Sequence, residues 1–443
     1  MKKESIPGRG AVYAASRLFV DGGTALSPGA LAVSRGVVVA AGSPGEVRRT
    51  VPAGFRKVDL PGAAIMPGFV NAHAHLQIPR LGDDSGLARS PASSTASAPS
   101  APPSFVDWIF RVIAWRLGAP AEEFRKNLEA AAREALAGGT TCVGEIAGPD
   151  VGVYASLPLR ARVFAEGIGF LPADADKVSA SVAAALDKLL SFATSFGTIS
   201  AGVSPHTLYT VGPDLLGRLG ELASRHALPA CLHLAESPAE MDFLRTGEGD
   251  IATRLYPAVG KDVSWFTGIG MSIPSYLAGA GLLQEGLILV HNVHLSKDEI
   301  GALRAAGARF VLCPRSNAAH GNGSPDVTHF VDAGIPFALG TDSLGSVPTL
   351  SLWEEIRAAR ALYRGNLSEA ALCRAFFRAA TENGSEALGL PGGALHPNAP
   401  ADFVAVDDPG GEGDAAFRSL IGKGEASSVR LTVVAGRPLH ERT

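Results

Sequence analysis

Five short fragments of the sequence carry residue types that could together bind a divalent metal ion and activate water. They are residues 71–75 (NAHAH), 233–237 (HLAES), 290–294 (VHNVH), 313–317 (CPRSN) and 340–343 (GTDS). Each fragment follows or ends a short apolar run that is typical of a strand. The imidazoles and carboxylates of such a set can generate hydroxide from water and deliver it to a carbon that bears a nitrogen leaving group.

Four of these residues are candidate metal ligands. His73 and His75 are two residues apart, so an extended strand directs both side chains to one face, where two imidazoles can bind one ion. His233 ends an apolar run, although a buried histidine of the core would also fit that position. Asp342 follows another such run; a buried carboxylate needs a partner such as a metal, and the alternative is a cap for the next helix. We predict all four as ligands because the five fragments occur together.

Two further residues of these fragments are candidate catalytic groups. Glu236 follows His233 by three residues, so its carboxylate could face the metal without binding it, take a proton from water and return it to the leaving nitrogen. His291 could support the tetrahedral centre that develops during attack. His294 has an odd spacing from His291, which places it on the other face of the strand, and we predict a structural role for it.

The middle of the chain alternates between predicted strands and amphipathic helices. The strands are predicted to end at residue 73 and to span 140–146, 159–168, 199–204, 228–234, 287–293, 309–313 and 335–339, with helices that include 121–137, 176–196 and 213–226. Eight such units predict a (β/α)8 TIM barrel, and the polar residues follow the carboxyl ends of the strands, where the chemistry of this fold is found.

Both ends of the chain lack helical periodicity and contain short β-rich runs. Those between residues 11 and 65 predict a small antiparallel sheet, and the last forty residues continue the pattern. We therefore predict an α/β protein in which both ends form a small β-sandwich domain: residues 1–67 and 399–443 belong to it, and residues 68–398 form the barrel. Residues 85–104 are rich in Ser, Ala and Pro, which predicts either a flexible loop over the barrel mouth or an inert insertion.

The composition narrows the class of protein. Of the 443 residues, 46% are hydrophobic and 19% charged, which predicts a sizeable core. A formal net charge of −4 gives no electrostatic reason to expect nucleic acid as a partner. No long apolar run suggests a membrane span or signal peptide, so we expect a soluble cytoplasmic protein. The four cysteines contain no CxxC pair, which argues against a disulfide framework and a thiolate zinc site.

These fragments resemble the amidohydrolase superfamily over essentially the whole chain. The similarity is to its deaminase and chlorohydrolase branch, which includes cytosine, guanine and S-adenosylhomocysteine/methylthioadenosine deaminases. It implies one divalent metal ion at the four ligand positions named above, with zinc expected and Fe(II) compatible with the same ligands. Binuclear relatives typically need a lysine or glutamate at the fourth strand, and residues 203–206 (VSPH) offer neither.

The resemblance also implies residues that contact the substrate. His206 is similar to a histidine that contacts the substrate of nucleoside deaminases, and Ser346 to a base-contacting serine of the adenosylhomocysteine deaminases. The Phe-x-x-Trp-Ile stretch around Trp108 resembles that of aminodeoxyfutalosine deaminases, which act in menaquinone biosynthesis. Trp108 and Trp115 are seven residues apart, so they could instead be core residues on one face of an extra helix.

We therefore expect hydrolytic deamination of a 6-aminopurine nucleoside, in which adenine becomes hypoxanthine and ammonia is released. Aminodeoxyfutalosine is the first substrate to consider, and S-adenosylhomocysteine or methylthioadenosine the second. Guanine, cytosine and chlorotriazine substrates would use the same site, as would a ring hydrolase similar to imidazolonepropionase. A non-catalytic barrel is the remaining alternative, although such relatives usually lose ligands. The resemblance further suggests a homodimer.

Overall fold

The computed structural model describes residues 10–81, 104–196 and 198–442 of an α/β protein. Its strands are β1 (Ala11–Phe19), β2 (Ala25–Leu26), β3 (Gly29–Ser34), β4 (Val37–Gly42), β5 (Arg56–Pro67), β6 (Phe69–Ala74), β7 (Thr140–Ile146), β8 (Arg160–Gly167), β9 (Ile199–Pro205), β10 (Cys231–Leu234), β11 (Ile288–His291), β12 (Arg309–Leu312), β13 (Phe337–Leu339), β14 (Phe403–Asp407), β15 (Val429–Val434) and β16 (Arg437–Glu441). Its helices are α1 (Pro44–Thr50), α2 (Phe105–Gly118), α3 (Ala121–Ala137), α4 (Ala175–Phe196), α5 (Pro213–Arg225), α6 (Pro238–Thr246), α7 (Tyr256–Ala258), α8 (Ile273–Gly279), α9 (Lys297–Ala305), α10 (Pro314–Ala319), α11 (Val327–Asp332), α12 (Leu352–Leu362), α13 (Glu369–Ala379), α14 (Glu382–Leu388) and α15 (Asp414–Lys423).

The central strands form the (β/α)8 TIM barrel that the sequence predicts. β6 to β9 pair in parallel in chain order, and so do β10 to β13. Parallel bridges connect the two sheets at both edges: Val203 pairs with Ala230, and Ala74 pairs with Asp342. The second bridge brings the carboxyl end of β6 beside the segment after β13, so fragments far apart in the sequence meet at one end of the barrel.

Burial explains why these segments form these elements. Every residue of β7 is buried, as expected for a barrel strand covered by side chains on one face and helices on the other. α3 buries Phe124, Leu128, Ala131 and Ala135 at helical spacing and exposes its charged face. In the part of the chain that the structure describes, no helix has the length and apolar character needed to cross a membrane.

The β-domain predicted from the two chain ends is present as a single sheet. Among the described residues it has eight strands, with β2 beside β1 and the others in the order β16-β15-β14-β5-β1-β3-β4. β5, from the first part of the chain, pairs antiparallel with β14, from the last. The prediction that the strands from the N-terminal part are all antiparallel was wrong, because β1 and β5 run parallel. The long connection through β3, β4 and α1 permits that crossover, whereas a tight hairpin would not.

We propose residues 67 and 399 as the domain boundaries, since β5 ends at Pro67 in the terminal sheet and β6 begins at Phe69 in the barrel. The Ser/Ala/Pro-rich segment at 85–104 lies outside the described residues except for its last member. Ser104 is the N-cap of α2 and accepts a hydrogen bond from the backbone N–H of Asp107.

A buried ion pair connects the barrel to the terminal sheet. Arg160 Nη1 donates to Asp402 Oδ2 at 2.6 Å, and the backbone N–H of Ala435 donates to Asp402 Oδ1 at 2.7 Å. We expect Asp402→Ala to lower the free energy of unfolding by about 3–5 kcal/mol, because it leaves a buried guanidinium without its counter-charge. Urea and thermal denaturation would measure this. Glu129→Ala, which removes an exposed partner of Arg125, is the control and should change little; equal effects of the two substitutions would contradict the prediction.

Candidate metal centre

The four predicted ligands meet at the carboxyl end of the barrel strands. His73 lies in β6 and His233 in β10. His75 follows the last residue of β6, and Asp342, which lies beyond the end of β13, forms the bridge with Ala74. The Nε2 atoms of His75 and His233 are 3.2 Å apart. Asp342 Oδ1 lies 3.9 Å from His73 Nε2 and 3.7 Å from His75 Nε2. These separations place one carboxylate oxygen and the imidazole nitrogens around a common point.

Several imidazole nitrogens of this cluster lack the partner that a bound divalent cation would provide. Both ring nitrogens of His73 and the Nδ1 of His75 are buried without a hydrogen-bond partner among the described residues. Buried polar atoms are normally paired, so this cluster of orphaned nitrogens fits a bound ion. Burial, reinforced by His233, lowers the pKa of His73 well below its usual range, and burial lowers the pKa of His75 to about 4. Both imidazoles are therefore neutral near pH 7, which is the form that binds metals.

Neighbouring groups orient two of the ligands. His233 Nδ1 lies 2.8 Å from the backbone carbonyl oxygen of His206, an arrangement in which Nδ1–H donates and Nε2 is left for the metal. Asp342 Oδ2 accepts from Ser316 Oγ at 2.6 Å and from Ser346 Oγ at 2.9 Å, which leaves Oδ1 beside the imidazoles. Asp342 has a φ of 60°, a strained value for this residue that its two serine contacts help to hold.

Ser346 is therefore placed differently from the expectation that it contacts the base. Its hydroxyl binds the carboxylate of Asp342 and also contacts Ser343 Oγ at 3.0 Å. It is absent from the described residues that line the cavity beside the metal centre. In this structure Ser346 orients a ligand, and its contact with a substrate remains a prediction.

The two predicted catalytic groups lie beside the ligand cluster. Glu236 Oε2 is 3.7 Å from His291 Nε2, and Glu236 Oε1 accepts a hydrogen bond from Asn322 Nδ2 at 3.1 Å. His291 Nδ1 lies 2.9 Å from Asn317 Oδ1 and donates a hydrogen bond to it. Burial, followed by the charge of Asp342, raises the pKa of Glu236 well above its usual range. A carboxyl group with a raised pKa can both accept and return a proton near neutral pH.

Two buried carboxylates that the sequence analysis missed hold the backbone of the ligand fragments. Glu240 accepts hydrogen bonds from the backbone N–H groups of Ala235 and Glu236 at 3.0 and 2.8 Å. Glu145 accepts one from the N–H of Leu76 at 2.9 Å. The Ser-x-x-Glu pattern that begins at Ser237 could have identified Glu240, since it is the signature of a helix N-terminus. Glu145 has no comparable local signal.

A cavity of about 280 Å³ opens beside these groups, and His206 and Trp108 both line it. His206 Nδ1 lies 2.8 Å from Thr210 Oγ1, and the Trp108 ring is 4.4 Å from the His320 ring. Trp115 is absent from the described lining and packs against Phe124 with ring centroids 4.7 Å apart. Of the two tryptophans only Trp108 lines the described cavity, and its ring also packs against the hydrophobic core, so its contact with a substrate stays a prediction.

Asn322 provides a test of the acid–base residue. Its amide donates to the carboxylate of Glu236 and so lowers the pKa of that group relative to a site without the hydrogen bond. We expect Asn322→Ala to raise the pKa of Glu236, so that the acid limb of the pH–rate profile moves to higher pH. The profile of kcat/KM would measure this shift, and an unchanged acid limb would contradict it.

The fold and the site define a metal-dependent hydrolase, and comparisons with known proteins agree. The sequence profile of the amidohydrolase family matches residues 64–439, and the chain belongs to this family. It is 32% identical over 387 residues to the aminodeoxyfutalosine deaminase of Deinococcus radiodurans, covering 84% of each chain. It is 31% identical over 409 residues to the 5-methylthioadenosine/S-adenosylhomocysteine deaminase of Halobacterium salinarum, covering 88% of this chain and 84% of that one.

Solved structures show the same fold. Helicobacter pylori aminofutalosine deaminase in complex with methylthio-coformycin superposes with a TM-score of 0.81 at 21% identity, covering 97% of this chain and 100% of that chain. A Xanthomonas campestris adenosine deaminase with bound zinc superposes with a TM-score of 0.77 at 26% identity, covering 97% of this chain and 92% of that chain.

Proposed function

We propose that this protein is a zinc-dependent hydrolase that removes the 6-amino group of an adenine nucleoside as ammonia, with aminodeoxyfutalosine as the first substrate to test. The four candidate ligands and Glu236 converge beside a cavity, and this observation supports hydrolysis as the type of reaction. The similarity to the Deinococcus radiodurans protein supports the substrate. Zinc suits three imidazoles and one carboxylate, and a similar solved structure contains it, whereas Fe(II) would fit the same ligands.

The residues around the site perform distinct parts of this reaction. A divalent cation bound at this position supplies the positive charge that brings the pKa of water near neutrality. Glu236 accepts one proton of the attacking water and delivers it to the purine ring nitrogen; it then takes the proton of the hydroxyl group formed on C6 and delivers it to the amine, which departs as ammonia. Burial lowers the pKa of His291 to about 3, so the neutral ring donates from Nδ1 to Asn317 and offers Nε2 to the attacking water. The apolar side chains of the cavity exclude bulk water.

Methylthioadenosine or S-adenosylhomocysteine is the second candidate substrate, favoured by the relative from Halobacterium salinarum. The two cationic side chains that line the described cavity, Arg116 and Lys261, are already paired with Glu166 and Asp174. A substrate with a charged group on its 5′ substituent, whether the amino-acid tail of S-adenosylhomocysteine or the carboxylate of aminodeoxyfutalosine, would therefore have to compete with existing ion pairs. A nucleoside with an apolar 5′ substituent would not.

Ammonia release by the zinc-loaded protein tests the proposal. The panel contains aminodeoxyfutalosine, methylthioadenosine, S-adenosylhomocysteine, adenosine, guanine and cytosine. We expect turnover of adenine nucleosides and the highest kcat/KM with aminodeoxyfutalosine. Preference for methylthioadenosine would favour the second candidate, and turnover of guanine or cytosine alone would overturn the assignment to adenine nucleosides. The homodimer suggested by resemblance stays a prediction that the molar mass in solution would test.

A further inference from the structure

We infer that Glu166, held by Arg116, is the residue that binds the sugar hydroxyls of the substrate. This inference rests on the proposed function, because it requires a nucleoside in the cavity. It concerns two residues to which the sequence analysis gave no role.

Glu166 lines the cavity and has one carboxylate oxygen without a hydrogen-bond partner among the described residues. It lies near the carboxyl end of β8, the third strand of the barrel, and its side chain is 7% exposed. Its Oε2 accepts hydrogen bonds from both terminal nitrogens of Arg116, at 3.2 and 3.3 Å. Its Oε1 is buried and has no hydrogen-bond partner among the described residues. A buried carboxylate oxygen of this kind normally has a donor, and a ligand in the cavity can supply one.

The charge of Glu166 determines which kind of substrate group its carboxylate can bind. Burial alone would raise the pKa of Glu166, but the guanidinium of Arg116, with His206, outweighs burial and lowers it to about 2. The ionised carboxylate can only accept hydrogen bonds, and its charge repels an anionic group. Hydroxyl groups donate strong hydrogen bonds to a carboxylate, whereas an aliphatic or aromatic substituent would leave Oε1 unpaired.

The position of Glu166 along the cavity matches a sugar. Glu166 interacts electrostatically with His75, His206 and His233, so it lies towards the metal end. The lining also includes Ile168 and Val259, which are 44% and 43% exposed and therefore face solvent at the mouth. A purine held at the metal end would place its ribose next along the cavity, and a 5′ substituent towards the apolar mouth.

A second orphaned group lines the same cavity and agrees with a hydroxyl ligand. The indole Nε1 of Trp108 is buried without a hydrogen-bond partner among the described residues. It is a donor, whereas Glu166 Oε1 is an acceptor. Sugar hydroxyl and ring oxygens offer both complementary functions, so a sugar in the cavity offers a partner of the type that each group needs.

The test crosses the enzyme variant with the substrate. The wild-type protein and Glu166→Gln are each assayed with adenosine, 2′-deoxyadenosine and 3′-deoxyadenosine. We expect the wild type to prefer adenosine over at least one deoxynucleoside by about 100-fold in kcat/KM, and the variant to lose most of that preference. The variant should lose activity towards adenosine while its activity towards the disfavoured deoxynucleoside changes little, because the contact is already absent there. The affinities for coformycin and 2′-deoxycoformycin give the same comparison as a binding measurement.

Controls separate binding from folding. Glu129→Gln removes one negative charge from an exposed ion pair of α3 and should leave all ratios unchanged. Glu166→Asp keeps the charge and should keep part of the preference. Equal losses with all three nucleosides in Glu166→Gln, or a wild type that does not distinguish them, would overturn the inference. A wild type that deaminates no adenine nucleoside would overturn the proposed function itself, so the two failures are distinguishable.

Discussion

Glu236→Gln is expected to lower kcat by about 10⁴-fold while the protein keeps its metal. This is the upper end of the contribution of a positioned acid–base group, because the same carboxylate serves in more than one proton transfer. The amide matches the carboxylate in size and retains an oxygen that can accept the hydrogen bond from Asn322. It cannot take a proton from water. The four ligands do not include this residue, so the metal content of the variant should equal that of the wild type.

Ammonia release and elemental analysis of the same samples measure the two expected results together. Glu129→Gln, which removes a carboxylate far from the site in an exposed pair, is the matched control and should retain full activity. Substantial turnover by metal-loaded Glu236→Gln would exclude this residue as the proton shuttle. Loss of metal with loss of turnover would indicate that Glu236 is a ligand instead.

The barrel could be predicted from the sequence because its signals are local. α3 and β7 have the bounds that the pattern predicts, since a helical repeat stopped by glycines and the short β-rich run that follows it are visible within a short window. The convergence of the four candidate ligands could be predicted because each lies at or after a short apolar run, and the carboxyl ends of barrel strands converge. Residues 85–104, almost all outside the described residues, remain an open prediction.

The remainder of the site depends on contacts that no local pattern contains. Asn322 is 86 residues from Glu236 in the sequence, and Arg116 is 50 residues from Glu166. Nothing in the surrounding composition distinguishes these residues from exposed polar ones. For Ser346 the sequence did suggest a contact, because resemblance indicated one with the base. In the structure its hydroxyl binds the carboxylate of Asp342. A sequence can identify which residue types converge at a barrel end, but their partners follow from the packing of the whole barrel.

Removal of a ligand should also have a large effect, but on metal affinity rather than on kcat. Asp342→Ala removes the carboxylate of the predicted ligand set and leaves the imidazoles without their anionic partner. Loss of an outer-shell partner lowers metal affinity by up to about 100-fold. Loss of a direct ligand should have a larger effect, so we expect metal affinity to fall by more than about 100-fold. Turnover at low metal concentration should be lost, and the stabilisation that bound metal gives to the fold should decrease as the dissociation constant rises, following RT ln(1 + c/Kd), where c is the concentration of free metal. Competition with a chromophoric chelator measures the affinity, and melting curves with and without zinc measure the stabilisation.

Ser346→Ala is the informative companion to this variant. If its hydroxyl orients Asp342, as the 2.9 Å contact indicates, metal affinity should fall by about tenfold, the smaller effect typical of an outer-shell hydrogen bond. If it contacts the base instead, KM for the nucleoside should rise while metal affinity stays the same. Unchanged metal affinity in Asp342→Ala would contradict the ligand assignment itself. The metal affinities of the two variants thus test the metal centre and the orienting role of Ser346 without depending on which nucleoside is the substrate.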